Sequence, residues 1–204
     1  MIDRSVLRLI AITDNVRDGQ TGLLERARAA ALGGATCIQL RLKDVPARDL
    51  VELARGLVRA VGVPVIVNDR ADVAIAAGAA GVHLGPDDVP PAVVRSFAPD
   101  GFIIGASVGT AGEVGGAEGA DYVGIGPVFA TGSKSDAGAA IGVGGFSLLA
   151  AATGLPAVGI GGITQENARE VIDAGAAGVA VIAAVFGATD PLAAARELAS
   201  AIGI

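Results

Sequence analysis

Four times along the chain, an alanine-rich, helix-like stretch ends in Gly-Ala and runs straight into an apolar strand candidate. The four joints are "GGATCIQL" from Gly33, "AGAAGVHLG" from Ala77, "EGADYVGIG" from Glu118 and "AGAAGVAVI" from Ala174. Glycine suits the left-handed residue that closes a helix, so each joint reads as a passage from helix to strand. Four more apolar runs lie between them, at residues 7–13, 63–69, 101–107 and 155–162, which brings the strand candidates to eight. Helical patterns follow the strands in turn, near residues 22–32, 47–61, 71–77, 91–97, 111–118, 146–152, 165–174 and 191–202. Strict alternation with short connections calls for a parallel sheet, and eight units of roughly 25 residues predict an α/β fold, a closed (β/α)8 TIM barrel. No linker or shift in composition divides residues 1–204, so one barrel domain is expected. The rival, an open doubly wound sheet, lacks the G-x-G-x-x-G that should open a helix after the first strand.

The totals narrow the partners. A net charge of −6 with no basic run argues against nucleic acid or an anionic membrane, both of which are held by clustered Lys and Arg. A small molecule remains. Cys37 is the one cysteine and His83 the one histidine, so neither an intrachain disulfide nor a structural zinc cluster can be assembled. Any metal must be held by oxygen. No apolar run reaches the length of about 18 residues expected of a membrane-spanning helix, and the expected location is cytoplasmic. The sequence does not fix the oligomeric state, and a homo-oligomer is compatible with it.

In barrels of this type the chemistry sits at the C-terminal ends of the strands, and there the polar residues gather. Strand two reads "IQLRLK", whose period of two puts Gln39, Arg41 and Lys43 on one face. Strand three ends in Asn68 and Asp69, strand four in His83 and then "GPDD" with Asp88, and strand five in Ser107. Strand six opens into the longest connection, residues 126–145; connections of that length are usually functional or disordered. The chain uses thirteen arginines but two lysines, Lys43 and Lys134, and both lie in these mouth segments. A compact ammonium on a phosphate is the functional reading, and compositional chance is the bland one. A structural ion pair is the bland reading for Arg41.

Two acids at neighbouring strand ends pose a sharper problem. At a separation of about 4 Å they repel by roughly 4 kcal/mol at an effective dielectric of 20, so a cation between them is expected. Hard oxygen ligands and few protein carboxylates suit Mg2+ that keeps waters and completes its shell with phosphate oxygens. The alternative is that Asp69 and Asp88 each cap the helix that follows. A second anion site is suggested by "VGIGGIT" and "VAVIAAVF", which close strands seven and eight, since that loop pair often binds phosphate through backbone N–H groups in such barrels. Simple tight packing is the alternative for Gly161 and Gly162.

Seven segments in order, "QLRLKD", "VNDR", "GVHLGPDD", "GASVGT", "DYVGIGPVFATGSK", "GIGGIT" and "AAGVAVI", resemble the thiamine-phosphate synthase family over nearly the whole chain. The resemblance implies an Mg2+-dependent transferase that joins hydroxymethylpyrimidine diphosphate to thiazole phosphate, releasing pyrophosphate by a dissociative route. It implies Gln39, Arg41, Lys43, Asn68 and Lys134 around the pyrimidine diphosphate, Asp69 and Asp88 on Mg2+, and Ser107 at the leaving group or reacting centre. Thr131, Ser133, Gly162, Ile182 and Ala183 would bind the thiazole phosphate, partly through backbone. Ala183 stands where the family usually has Ser, and Ser133 where Thr is common, so one side-chain bond is lost and one altered. The Gly- and Ala-rich segment from Gly132 to Gly145 reads as a lid that carries Lys134 and excludes water from the cation. The related thiazole tautomerase shares "VNDR" but would not need Asp88 or the two lysines, and a noncatalytic phospholigand sensor on the same scaffold is the reading from another class.

Overall fold

The computed structural model describes residues 2–13, 19–132 and 138–204. Eight strands, each parallel to its neighbours, close a barrel in sequence order, with the last pairing back onto the first. They are β1 (Leu9–Ile12), β2 (Cys37–Leu40), β3 (Val65–Asn68), β4 (Gly81–Leu84), β5 (Ile103–Val108), β6 (Tyr122–Ile125), β7 (Ala157–Ile160) and β8 (Gly178–Val181). Around them run α1 (Gly19–Leu32), α2 (Ala47–Ala60), α3 (Ala71–Ala77), α4 (Pro91–Arg95), α5 (Gly142–Thr153), α6 (Ala168–Asp173), α7 (Ala183–Phe186) and α8 (Pro191–Ala201). A 3-10 segment, Ala111–Ala117, stands between β5 and β6. None of the helices described is long and apolar enough to cross a membrane.

The strands alternate between two cores, as a period of two requires. One face of each strand packs outward against the helices, through residues such as Leu9, Ile38, Val67, Val82, Ile104 and Val179. The other face fills the barrel, where Leu7, Ile10, Ile12, Cys37, Ile66, Tyr122, Val158 and Ala180 make a separate apolar cluster. Along that inner face the chemistry changes with height. Cys37 is followed two residues later by Gln39, Ile66 by Asn68, Gly81 by His83 and Gly105 by Ser107. The register pairs Asn68 with His83, His83 with Gly105, and Ser107 with Gly124, so these polar groups form one layer at the C-terminal mouth, above an apolar plug.

Several helices differ from the sequence expectation for local reasons. The expected helix over residues 111–118 is 3-10 in form, because Gly112, Gly115 and Gly116 fall within seven residues and glycine weakens an α-helix. Helix α5 begins at Gly142, four residues before the expected Phe146, with Gly142 itself in a left-handed conformation. Helix α6 begins at Ala168 because residues 164–167 form a turn, in which the Asn167 side chain accepts from the Thr164 N–H at 2.9 Å and donates to the Gly162 carbonyl at 3.0 Å.

Candidate active site

The mouth is held together by strand-end hydrogen bonds. Thr13, fully buried at the end of β1, accepts the Arg41 N–H at 2.8 Å and donates to the Arg41 carbonyl at 3.0 Å. Beyond the last residue of β2, Leu42 packs on the outer core, and Arg41 beside it is partly buried. Gln39, 3% exposed, donates to Asn68 Oδ1 at 2.8 Å, and Asn68 donates through Nδ2 to Asp69 Oδ1 at 2.5 Å. Two amides thus lead from the barrel interior to a carboxylate at the rim.

Asp69 carries the marks of a constrained site. Its φ of 65° is left-handed, which a non-glycine residue adopts only when its surroundings over-determine it. The Asp69 N–H donates to the His83 carbonyl at 2.8 Å, tying the turn to β4. Burial pushes its carboxyl pKa up to about 6, with a hydrogen bond and charge repulsion from Asp88 adding to the effect; Asn68 and the Arg41 charge pull the other way. The two carboxyl groups and the Arg41 guanidinium are therefore close enough to act on one another's charge. Neither acid caps a helix: the residues at the N-caps of α3 and α4 are Arg70 and Pro90, without side-chain caps. Asp88 has one structural bond of its own, accepting the Gly85 N–H at 2.6 Å and so closing the "GPDD" turn. Arg70 forks onto Asp72 at 2.6 and 2.9 Å, an exposed local ion pair outside the two acids.

This pair of acids suits a hard cation. Among the described residues no group of three or more His, Cys, Asp and Glu converges; an ion held by Asp69 and Asp88 would take its remaining oxygens from water or ligand. That donor set matches Mg2+ rather than a fully caged metal.

Beneath the rim, His83 bridges two hydroxyls, with Nδ1 2.9 Å from the Tyr122 hydroxyl and Nε2 3.0 Å from Ser107 Oγ. Space for this comes from missing side chains: a Cβ on Gly105 would fall inside the Tyr122 ring and against His83 Nδ1, and one on Gly124 would crowd His83 Cε1 at 3.0 Å. Tyr122 was not singled out by the sequence reading. Its signal was available, since it is the chain's one tyrosine and lies two residues before Gly124 on an inward face.

Across the mouth, the connection after β6 leans on the end of β7. The Val128 N–H donates to the Ile160 carbonyl at 2.8 Å and the Phe129 N–H to the Gly161 carbonyl at 3.0 Å, while Ile141 and Gly142 donate back to Pro127 and Val128 at 2.9 Å each. Gly162 has a φ of 65°, and a Cβ there would strike the Ala130 carbonyl and Phe129; both facts require glycine. Among the described residues, no backbone acceptor takes the N–H of Gly162 or Ala183. Thr131 lies partly buried on the same connection. Lys43 is exposed on the loop after β2, and Ser133 and Lys134 fall outside the described residues.

The family model for thiamine monophosphate synthase matches residues 9–185, from the first strand to α7. The chain belongs to that family. A thiamine-phosphate synthase of Moorella thermoacetica is 51% identical over 194 residues, covering 93% of this chain and 92% of the relative. One from Azorhizobium caulinodans is 47% identical over 201 residues, covering 96% and 95%. Among solved structures, a thiamine phosphate pyrophosphorylase from Pyrococcus furiosus superposes with a TM-score of 0.85 at 42% identity, covering 98% of this chain and 96% of that one. A 3-hexulose-6-phosphate synthase, 21% identical with a TM-score of 0.70, shares the barrel fold of the thiamine monophosphate synthase family.

Proposed function

We propose that the C-terminal mouth of this barrel binds a hydroxymethylpyrimidine diphosphate and a thiazole phosphate and joins them, giving thiamine phosphate and pyrophosphate, with residues 1–204 acting as one catalytic domain. The observation that carries the residue assignment is the Asp69–Asp88 carboxyl pair, backed by the Gln39–Asn68 amide chain and flanked by Arg41. Neither a thiazole tautomerase nor a bare phosphate sensor needs a second acid there.

The pyrimidine diphosphate lies with its phosphates toward Asp69, Asp88, Arg41, Lys43 and Lys134, and its ring toward Gln39 and Asn68. Asp69 and Asp88 would hold Mg2+, which when bound supplies positive charge to the departing diphosphate. Arg41, Lys43 and Lys134 add to that field, already in place before charge develops, and Ser107 donates a hydrogen bond to the same group. The bond from the methylene carbon to the diphosphate oxygen breaks with its electron pair leaving on oxygen. The electron-rich aminopyrimidine carries the resulting cation, and the thiazole nitrogen forms the new carbon–nitrogen bond. No proton moves in these two steps, so no general base is needed. Thr131, Ser133, Gly162, Ile182 and Ala183 hold the thiazole phosphate. Ala183 offers no hydroxyl, which leaves that contact to its N–H.

Mixing the two phosphorylated precursors with Mg2+ should yield thiamine phosphate and pyrophosphate in equal amounts. Isomerisation of the thiazole alone, or binding without turnover, would overturn the reading. For the metal ligands, Asp88→Asn keeps an acceptor for the Gly85 N–H but removes the charge. It should raise the Mg2+ concentration for half-maximal activity by about tenfold or more, and an unaltered magnesium titration would remove Asp88 from the ligand set.

A further inference from the structure

We propose that Tyr122 and His83 are positioning residues, a buried relay that dictates which way the Ser107 hydroxyl points. The inference deepens the reading above and rests on Ser107 touching the diphosphate. Tyr122 is 1% exposed inside the barrel, and burial, together with the nearby Cys37 and Asp121, holds its phenol protonated far above the usual range. Its hydroxyl has one hydrogen-bonding partner among the described residues, His83 Nδ1 at 2.9 Å. A phenol proton directed anywhere else would be buried without an acceptor, which is costly, so the Tyr122 O–H donates to Nδ1.

A neutral imidazole that accepts at one nitrogen carries its proton on the other. Nε2–H therefore points at Ser107 Oγ, 3.0 Å away, and Ser107 accepts. With that lone pair engaged from below, the Ser107 proton is directed away from His83, into the mouth where the diphosphate is to be held. Without the Tyr122 proton, the ring could equally present a bare Nε2, and Ser107 would then donate downward, withdrawing its hydrogen from the ligand. The glycines fit this account. Gly105 and Gly124 leave no side chain between the His83 ring and its partners, so the ring can occupy the one place that spans both hydroxyls.

His83 is the chain's one histidine, so its tautomer can be read directly. In protein labelled with 15N-histidine, long-range proton–nitrogen spectra should show a protonated Nε2 and an acceptor Nδ1, and Tyr122→Phe should turn this single state into a mixture. The reverse tautomer in the unaltered protein would overturn the proposal. Kinetics supply the second arm. With both substrates and saturating Mg2+, Tyr122→Phe should lower kcat by about tenfold with little change in KM for the pyrimidine diphosphate, since misdirecting one donor costs rate more than binding. In a Ser107→Ala background the same change should have almost no effect, because no hydroxyl is left to aim. Equal losses in both backgrounds would mean that Tyr122 acts on the barrel as a whole, and the relay would be wrong. His83→Gln, whose amide N–H can stand in for Nε2–H, should retain more activity than His83→Leu; this pair carries the test if Tyr122→Phe folds poorly. Ser107→Ala alone separates the layers of argument. Full activity there removes Ser107 from the site, whereas a loss there with none in Tyr122→Phe and His83→Leu sinks the relay and leaves the site intact.

Discussion

At Asp69, function and stability pull in opposite directions. Its backbone is left-handed and its carboxyl stands against that of Asp88, an arrangement with no benefit to an empty barrel. Because the folded protein raises this pKa from 3.8 to about 6, the folded state binds the proton more tightly than the unfolded chain does. The associated stability is fully present below about pH 4 and is lost as the pH rises through about 6. A rise of that size is worth about 3 kcal/mol in a dry site, and solvent screening at the exposed rim brings it to about 1. Asp69→Asn is therefore expected to be more stable than the parent by about 1 kcal/mol in metal-free buffer at pH 8 and to lose that advantage at pH 4, as urea unfolding would report. Its activity should fall at the same time. In the sequence, Asn68 and Asp69 stand out as polar residues closing an apolar strand, and their place at the mouth follows from position alone. The left-handed turn at Asp69 does not, since aspartate is common in ordinary turns and caps.

Among the elements, the four Gly-Ala joints from helix to strand were readable because glycine and alternating apolar runs are local signals. Where local signals conflict, the reading shifts by a few residues. "GVGG" does not announce a helix, yet α5 begins there, with Phe146 buried against the sheet. The attachment of α7 was not readable at all. Arg26, on α1, is largely buried, donates through Nη1 to the Phe186 carbonyl at 3.0 Å and places its guanidinium 5.6 Å from the centre of the Phe186 ring, and the two residues lie 160 positions apart. A charged residue in the middle of a helix pattern reads as solvated until its partner is known. This contact holds the end of α7 whose beginning, Ile182 and Ala183, is assigned to the thiazole phosphate. Arg26→Met keeps the apolar stem and removes the hydrogen bond and the charge. It should cost about 1–3 kcal/mol in global stability, and it should raise KM for the thiazole phosphate several-fold while leaving KM for the pyrimidine diphosphate nearly unchanged. A parallel rise in both constants would mean that Arg26 supports the barrel generally rather than α7.

For the molecule as a whole, the closed sheet separates two tasks that the same strands perform. The outer faces and the lower interior are apolar and hold the fold, and the upper interior is polar and opens to the C-terminal mouth. Sequence makes this division visible through alternation, because Cys37 and Gln39, or Ile66 and Asn68, share an inner face. What it leaves hidden is how the upper residues connect around the ring, since Gln39–Asn68 and His83–Ser107 join different strands. Groups on β2, β3, β4 and β5 meet at one mouth, so a ligand bound there would add to the hydrogen bonds that already join neighbouring strand ends. Pyrophosphate with Mg2+ should accordingly raise the melting temperature. At one hundred times its dissociation constant, a ligand specific to the folded state contributes about 2.7 kcal/mol, or roughly 5–10 °C for a chain of this length. Pyrophosphate without Mg2+ should do far less, because an anion then meets the uncompensated Asp69–Asp88 pair, and Mg2+ without pyrophosphate should act weakly, with only two protein carboxylates to hold it. Equal shifts from pyrophosphate with and without the metal would place the anion on the arginine and lysines alone and would detach the two acids from substrate binding.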